Sequence, residues 1–156
     1  MKMPAEKDIQ GYRNPIPTTD IIIEYNGGIV LIERRNPPYG LALPGGFAEH
    51  GLSLPDNAKK ESKEETGLEI IIEEPEDEPF CVMSDPRRDP RDHMVSVTYI
   101  AKGVGELRAG DDAKAARVYT INQVMHLIER DGLAFDHSKI LAKYLKHRGY
   151  VNERAR

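Results

Sequence analysis

Gly45-Gly-Phe-Ala-Glu-His-Gly-Leu-Ser-Leu-Pro-Asp-Asn-Ala-Lys-Lys-Glu-Ser-Lys-Glu-Glu-Thr-Gly-Leu68 decides how the rest of the chain is read. Pro55 suits a helix start, Ser53-x-x-Asp56 resembles a capping box with Asp in the Glu position, and Gly67 supplies a stop. A helix is therefore expected from about Pro55 to Thr66. Glu61, Glu64 and Glu65 then fall on neighbouring positions of one helix face. Unpaired like charges at this spacing cost a helix roughly 0.2–0.5 kcal/mol per pair. A hard divalent cation such as Mg2+ reverses that sign, because it seeks a few carboxylate oxygens and fills its shell with water and phosphate. A solvated charged face explains the same pattern, since Lys59, Lys60 and Lys63 are interleaved. The helix offers a core little beyond Ala58 and Leu54, so packing alone does not account for it.

Working outward, Asp20-Ile-Ile-Ile-Glu-Tyr25 and Ile29-Val-Leu-Ile-Glu33 flank Asn26-Gly27-Gly28, the pattern of a β-hairpin. Arg34 to Gly40 reads as a loop because of Pro37 and Pro38. Leu41–Leu43 reads as a short strand ending at Pro44-Gly45-Gly46. Further strands are expected at Leu68–Ile72, Phe80–Met83, Met94–Ala101 and Arg117–Tyr119. Loops are expected at Ser84–His93 and Gly103–Lys114. Ile121–Arg130 and Asp136–Lys146 have helical spacing, with Ile140, Leu141, Tyr144 and Leu145 in one apolar stripe. Strands paired as a hairpin, with helices between and after them, suit a mixed sheet covered by helices, an α+β or α/β sandwich.

The chain has 156 residues and a formal net charge of −4, which fits one domain of acidic character. Residues 18–148 are expected to form it. Residues 1–17, broken by Pro4, Pro15 and Pro17, read as an arm, and residues 149–156 as a tail. The charge argues against nucleic-acid binding, and no apolar run approaches the roughly 18 residues of a membrane span. Met1–Tyr12 has no apolar leader core. Cys81 is the single cysteine, so an internal disulfide and a cysteine-built zinc site are excluded. These features together point to the cytoplasm.

Gly46 to Leu68 resembles, without a gap, the signature G-x5-E-x7-R-E-U-x-E-E-x-G-U of the Nudix hydrolases, where U is a bulky aliphatic residue. Gly46 aligns with the first Gly, Glu61 with the Glu of the R-E pair, and Glu64-Glu65 with the E-E pair. Leu43-Pro44-Gly45-Gly46-Phe47 also looks like the family's lead-in. The resemblance implies a Nudix-type α/β/α sandwich with a mixed β-sheet. It also implies a loop–helix–loop in which Glu61, Glu64, Glu65 and the Gly46 carbonyl hold Mg2+, sometimes Mn2+, against a diphosphate. Three positions depart from the signature: Leu52 replaces its first Glu, Lys60 its Arg and Ser62 its aliphatic residue. Lys60 keeps the charge but loses the planar fork, Leu52 removes a carboxylate, and Ser62 weakens the helix's anchor. Metal binding is expected to persist, with activity reduced or dependent on a replacement group. Glu49 is the nearby candidate, or simply an exposed loop acid.

Arg34-Arg35-Asn-Pro-Pro-Tyr-Gly40, Ser84-Asp-Pro-Arg-Arg-Asp-Pro-Arg91, Ala109-Gly-Asp-Asp-Ala113 and Leu133-Ala-Phe-Asp-His137 look like the ADP-ribose pyrophosphatase branch of that family. Asp92 departs from it, standing where Gly is usual, and an acid there weakens an anion site. The resemblance implies Mg2+-dependent hydrolysis of ADP-ribose to AMP and ribose 5-phosphate. Guanidinium groups match diphosphate oxygens bidentately, so Arg34, Arg35, Arg88 and Arg91 are the candidate substrate contacts, with Asp112 as a polar partner. Alternatively, Arg88 and Arg91 pair with Asp85, Asp89 and Asp92 to stiffen the loop, and Asp111 and Asp112 only shape a turn. Glu61, Glu65, Asp112 and Glu106 are the candidates for a general base. Phe135 reads as core, His137 as a helix-start residue, and Cys81 as buried and inert. A weakly active or non-hydrolysing nucleotide sensor and a house-cleaning triphosphate hydrolase are the alternatives. The expected partner is a small nucleotide, with no nucleic acid and no membrane; a homodimer is compatible with the sequence.

Overall fold

Three consecutive isoleucines, Ile21 to Ile23, lie at the centre of β1 (Ile16–Tyr25) and are completely buried. Their side chains alternate across the sheet. Ile22 packs with Ile29, Leu31 and Ile100 against residues of two C-terminal helices, whereas Ile21 and Ile23 pack with Val30, Tyr99 and Ala101 on the opposite face. A strand buried on both faces shows an unbroken apolar run, because neither face is left to water. The computed structural model, which describes residues 11–110 and 113–152, is thus an α/β/α sandwich.

The elements after β1 are β2 (Gly28–Arg34), β3 (Gly40–Ala42), β4 (Gly45–Phe47), α1 (Leu54–Thr66) and β5 (Glu69–Ile72), followed by β6 (Cys81–Met83), β7 (Met94–Val104), β8 (Ala113–Thr120), α2 (Ile121–Glu129) and α3 (His137–His147). The sheet runs β3-β2-β1-β7-β5, with β4 on β1, β6 on β7 and β8 on β2. Only β1 and β7 pair in parallel among these strands, so the sheet is mixed. The β1–β2 hairpin closes as expected through Asn26 and Gly27, whose φ angles of 47° and 77° suit a tight turn.

Two features of this topology position the site. First, β1 shares one edge between two partners: β2 pairs with Glu24 and Tyr25, whereas β4 pairs with Thr18 to Asp20. The sheet therefore opens where β4 takes over from β2. Second, α1 covers this opening with polar rather than apolar side chains. Its buried residues are Asn57, Ala58, Glu61, Ser62, Glu65 and Thr66. The helix is capped as the sequence suggests: the Asp56 N–H donates to Ser53 Oγ at 3.2 Å, and Gly67 ends it at a φ of 74°. Ser62 is fully buried and donates to the Leu68 carbonyl at 3.2 Å, so it anchors the helix by hydrogen bonding where an aliphatic residue was expected.

Several boundaries differ from the sequence-based expectation. The strand begins at Ile16, inside the expected arm, because the Pro17 carbonyl accepts from the Ala48 N–H at 2.9 Å. Proline loses a donor but keeps this acceptor. Gly45–Phe47 is a strand, not only a turn. β7 extends to Val104 and β8 opens at Ala113, each prolonged by pairing with a neighbour. Cys81 is half-buried rather than buried. Asp111 and Asp112 lie outside the described residues.

Candidate active site

The opening beside β4 forms a pocket of about 330 Å³. Its floor carries Asp20, Gly45, Gly46 and Glu65, and its walls carry Arg34, Arg88, Arg91, Phe135 and His137. Six separate stretches of the chain thus meet at one cavity.

The carboxylates of α1 divide. Glu61 and Glu65 are 6% and 5% exposed and face the sheet. Glu64 is turned to solvent, where Lys60 pairs with it and with Glu49, the latter at 3.1 Å. These partners, Glu64 first, hold the Lys60 ammonium above its ordinary range. Glu49 thus serves here as a partner of Lys60. Leu52, standing in place of a carboxylate, is 38% exposed.

The glycines that precede the helix are required by close approach. A Cβ on Gly46 would lie 2.5 Å from the Glu61 carboxyl carbon, and one on Gly45 would lie 2.2 Å from the Thr19 carbonyl oxygen. The Gly45 N–H donates to Glu65 Oε1 at 3.3 Å. Glu65 Oε2 is the one buried side-chain polar atom without a hydrogen-bond partner among the described residues. Burial pushes the Glu65 carboxyl well above the usual carboxylate range, and neighbouring Glu61 adds to this. Such an atom costs free energy unless something positive meets it. Among the described residues, no group of three or more His, Cys, Asp or Glu side chains is gathered at ligand geometry.

The arginines also divide. Arg34 and Arg91 place their guanidinium carbons 4.9 and 5.2 Å from the centre of the Phe135 ring. Burial and then the charge of Arg91 pull the Arg34 pKa below its ordinary value. Two cations share one ring on this wall, and an anionic group between them would relieve their mutual repulsion. Arg91 also pairs with Asp89 at 2.8 Å, as one of the sequence alternatives has it. Arg88 lines the pocket but spends its guanidinium on Asp136. Arg87 stays with Asp85 at the surface. Arg35 points away from the cavity towards the Ala113 carbonyl at 3.4 Å, as expected for the neighbour of Arg34 on an extended chain. Asp92 is answered by the His93 N–H and by Arg13 at 3.0 Å, which hold its carboxyl below the usual range.

Three pocket residues escaped the sequence reading. Phe135, at a φ of 56°, is half-buried: it packs against the Ile32–Ala42–Ala134 cluster and also lines the cavity. Asp20 is buried, and although burial pushes its pKa up, His137, Ser96 and Arg88 together hold it below the usual range. His137 is 2% exposed and faces Asp20 Oδ1 at 3.6 Å. The signal for His137 was its place in Leu133-Ala-Phe-Asp-His137; nothing local marked Asp20.

Helix α1 thus presents a buried carboxylate, Glu65, to a cavity walled by arginines, a donor set suited to a cation and an anionic group together. The model of the NUDIX domain family matches residues 15–144, and the chain belongs to that family. It is 39% identical over 151 residues to the ADP-ribose pyrophosphatase of Methanocaldococcus jannaschii, covering 93% of this chain and 83% of that protein. Among solved structures it is similar to a mutT/nudix family protein from Listeria innocua, with a TM-score of 0.67, 30% identity, and coverage of 88% and 97% of the two chains. The NUDIX domain of Shewanella oneidensis NrtR, complexed with ADP ribose, superposes with a TM-score of 0.75 over 90% of this chain and 92% of that one. At 21% identity that likeness shows the fold alone.

Proposed function

We propose that the protein is an ADP-ribose pyrophosphatase, hydrolysing ADP-ribose to AMP and ribose 5-phosphate with the help of Mg2+ or Mn2+. The observation that carries this reading is the Glu65 carboxylate, whose Oε2 is buried without a partner beside Glu61. The residues fit a hard cation: oxygen donors only, a helix face of carboxylates, and a glycine cradle that a Cβ would fill. Glu61, Glu65 and the Gly46 carbonyl would hold the ion, with Glu64 at the rim, where it must leave Lys60 to join them. Bound there, the ion supplies the charge that neutralises phosphoryl oxygens and acidifies water.

The remaining work falls to the protein's own side chains. Arg34 and Arg91 bind the diphosphate from the opposite wall. Phe135 fixes both guanidiniums and so orients the substrate. The curated relative from Methanocaldococcus jannaschii supports the choice of ADP-ribose. Half-burial raises the Cys81 pKa, consistent with an unreactive thiol. Among the described residues, no helix is long and apolar enough to cross a membrane.

The test is AMP release from ADP-ribose with and without Mg2+, run beside nucleoside triphosphates and NADH. Mg2+-dependent AMP formation with ADP-ribose preferred supports the proposal. Tight ADP-ribose binding without turnover would make the protein a sensor instead.

A further inference from the structure

His137 is buried at the start of α3, yet both of its ring nitrogens meet parts of the chain that shape the carboxylate site. The Leu43 N–H donates to Nδ1 at 3.0 Å. An accepting Nδ1 carries no proton, so the ring proton sits on Nε2, the atom facing Asp20 Oδ1 at 3.6 Å. The other Asp20 oxygen accepts from the Ser96 hydroxyl. Asp20 is also the strand partner of Gly45, whose missing Cβ would stand 2.5 Å from Asp20 Oδ1. Gly45 in turn gives its N–H to Glu65 Oε1. A continuous path therefore runs from the imidazole, through the main chain at residues 43–45, to the carboxylate of Glu65.

We propose that His137 is a positioning residue for the cation site: it fixes the Leu43–Gly46 turn so that the Gly45 N–H orients Glu65 and leaves Oε2 free for the ion. This rests on the reading of Glu61 and Glu65 as cation ligands. The turn is otherwise held by the pairing of Gly45 and Gly46 with β1 and by the Ile21 N–H, which donates to the Pro44 carbonyl at 2.9 Å; Pro44 has no N–H of its own to give, so the Leu43 N–H is the donor through which a side chain can fix the turn. Without an acceptor at the Nδ1 position, the buried Leu43 N–H loses its partner and the turn moves to recover one. An imidazole kept only to fill volume would affect folding and leave the ion's affinity in the folded protein unchanged.

The experiment measures the Kd of Mn2+ by electron paramagnetic resonance, and kcat and KM for ADP-ribose. The variants are His137→Asn, which keeps an acceptor near the Nδ1 position, His137→Gln, which moves the amide to the Nε2 position, and His137→Ala. For His137→Gln and for folded His137→Ala, Mn2+ affinity and kcat are expected to fall by about 10–100-fold with little change in KM. His137→Asn should recover most of the loss. Should His137→Ala fail to fold, the comparison of Asn with Gln decides. Parental Mn2+ affinity in His137→Gln, or His137→Asn no better than His137→Gln, would overturn the proposal. Glu65→Gln is the control: if it binds Mn2+ like the parent, the cation site itself is misplaced, whereas loss there with indifferent His137 variants refutes only the role of His137.

Discussion

Arg88 binds both oxygens of Asp136, Nε to Oδ2 at 3.0 Å and Nη2 to Oδ1 at 2.6 Å, with the two side chains 3% and 10% exposed. This pair ties the loop after β6 to the first turn of α3, so the arginine is committed to the fold before any substrate arrives. It also explains why Asp136, at the N-cap of α3, makes no side-chain capping bond. Removing one member leaves an uncompensated buried charge. Arg88→Ala is therefore expected to cost ~3–5 kcal/mol in chemical denaturation, and a paired Arg88→Met/Asp136→Leu variant much less. Equal losses for the single and double variants would count against this role.

Arg91 differs because its guanidinium lies over Phe135 within the pocket and, among the described residues, forms its ion pair with Asp89 of its own loop. Arg91→Ala should raise KM for ADP-ribose about tenfold, which corresponds to ~1.4 kcal/mol, and should also lower stability, because it leaves the buried Asp89 carboxylate without its cation. Steady-state kinetics beside thermal denaturation separates the two effects. An unchanged KM would return Arg91 to a purely loop-stiffening role.

Gly46→Ala tests the cradle. The added methyl would meet the Glu61 carboxyl group at 2.5 Å, so the carboxylate must move. Mn2+ affinity is expected to drop by at least ~10-fold, on the scale of disturbed ligand support. Circular dichroism should show the fold retained. Parental affinity would mean that Glu61 is not held where the ion binds.

Asp20 makes a prediction about pH. Its carboxyl is held below the usual range in the folded state, by His137, Ser96 and Arg88 against the opposing effect of burial. The unfolded chain therefore binds this proton more readily than the folded one. The resulting stability is present above the unfolded pKa and is lost as pH falls through the lower folded value. Asp20→Asn should be less stable than the parent near neutrality, with the Tm gap closing below about pH 4. A gap independent of pH would show that the loss comes from packing alone.

How much of this was legible in the sequence follows from the range of each interaction. The α1 helix and its caps are local, and Ser53, Asp56 and Gly67 announced them. Three glutamates on one helix face were also evident, but not how they divide. Glu61 and Glu65 lie within about 40° around a helix, and Glu64 about 100° from Glu65; the sheet then buries the first two and leaves Glu64 to Lys60. Pro44-Gly45-Gly46 read as the end of a strand because glycine is poor in strands, yet here glycine permits β4 to press against β1 and α1. Arg88 found its partner in Asp136 rather than in its own acidic loop, and Asp20 found His137 across nearly the whole chain. No local pattern encodes pairings of that range.

The central claim is that the partnerless oxygen of Glu65 holds a divalent cation needed for hydrolysis. The most direct measurement is the initial rate of AMP release from ADP-ribose as Mg2+ is varied, for the parent and Glu65→Gln. The account predicts a saturable Mg2+ requirement in the parent and a kcat lower by at least ~100-fold in the variant, the scale of losing a key electrostatic group. A Glu65→Gln enzyme with the parental rate and the parental Mg2+ dependence would contradict it.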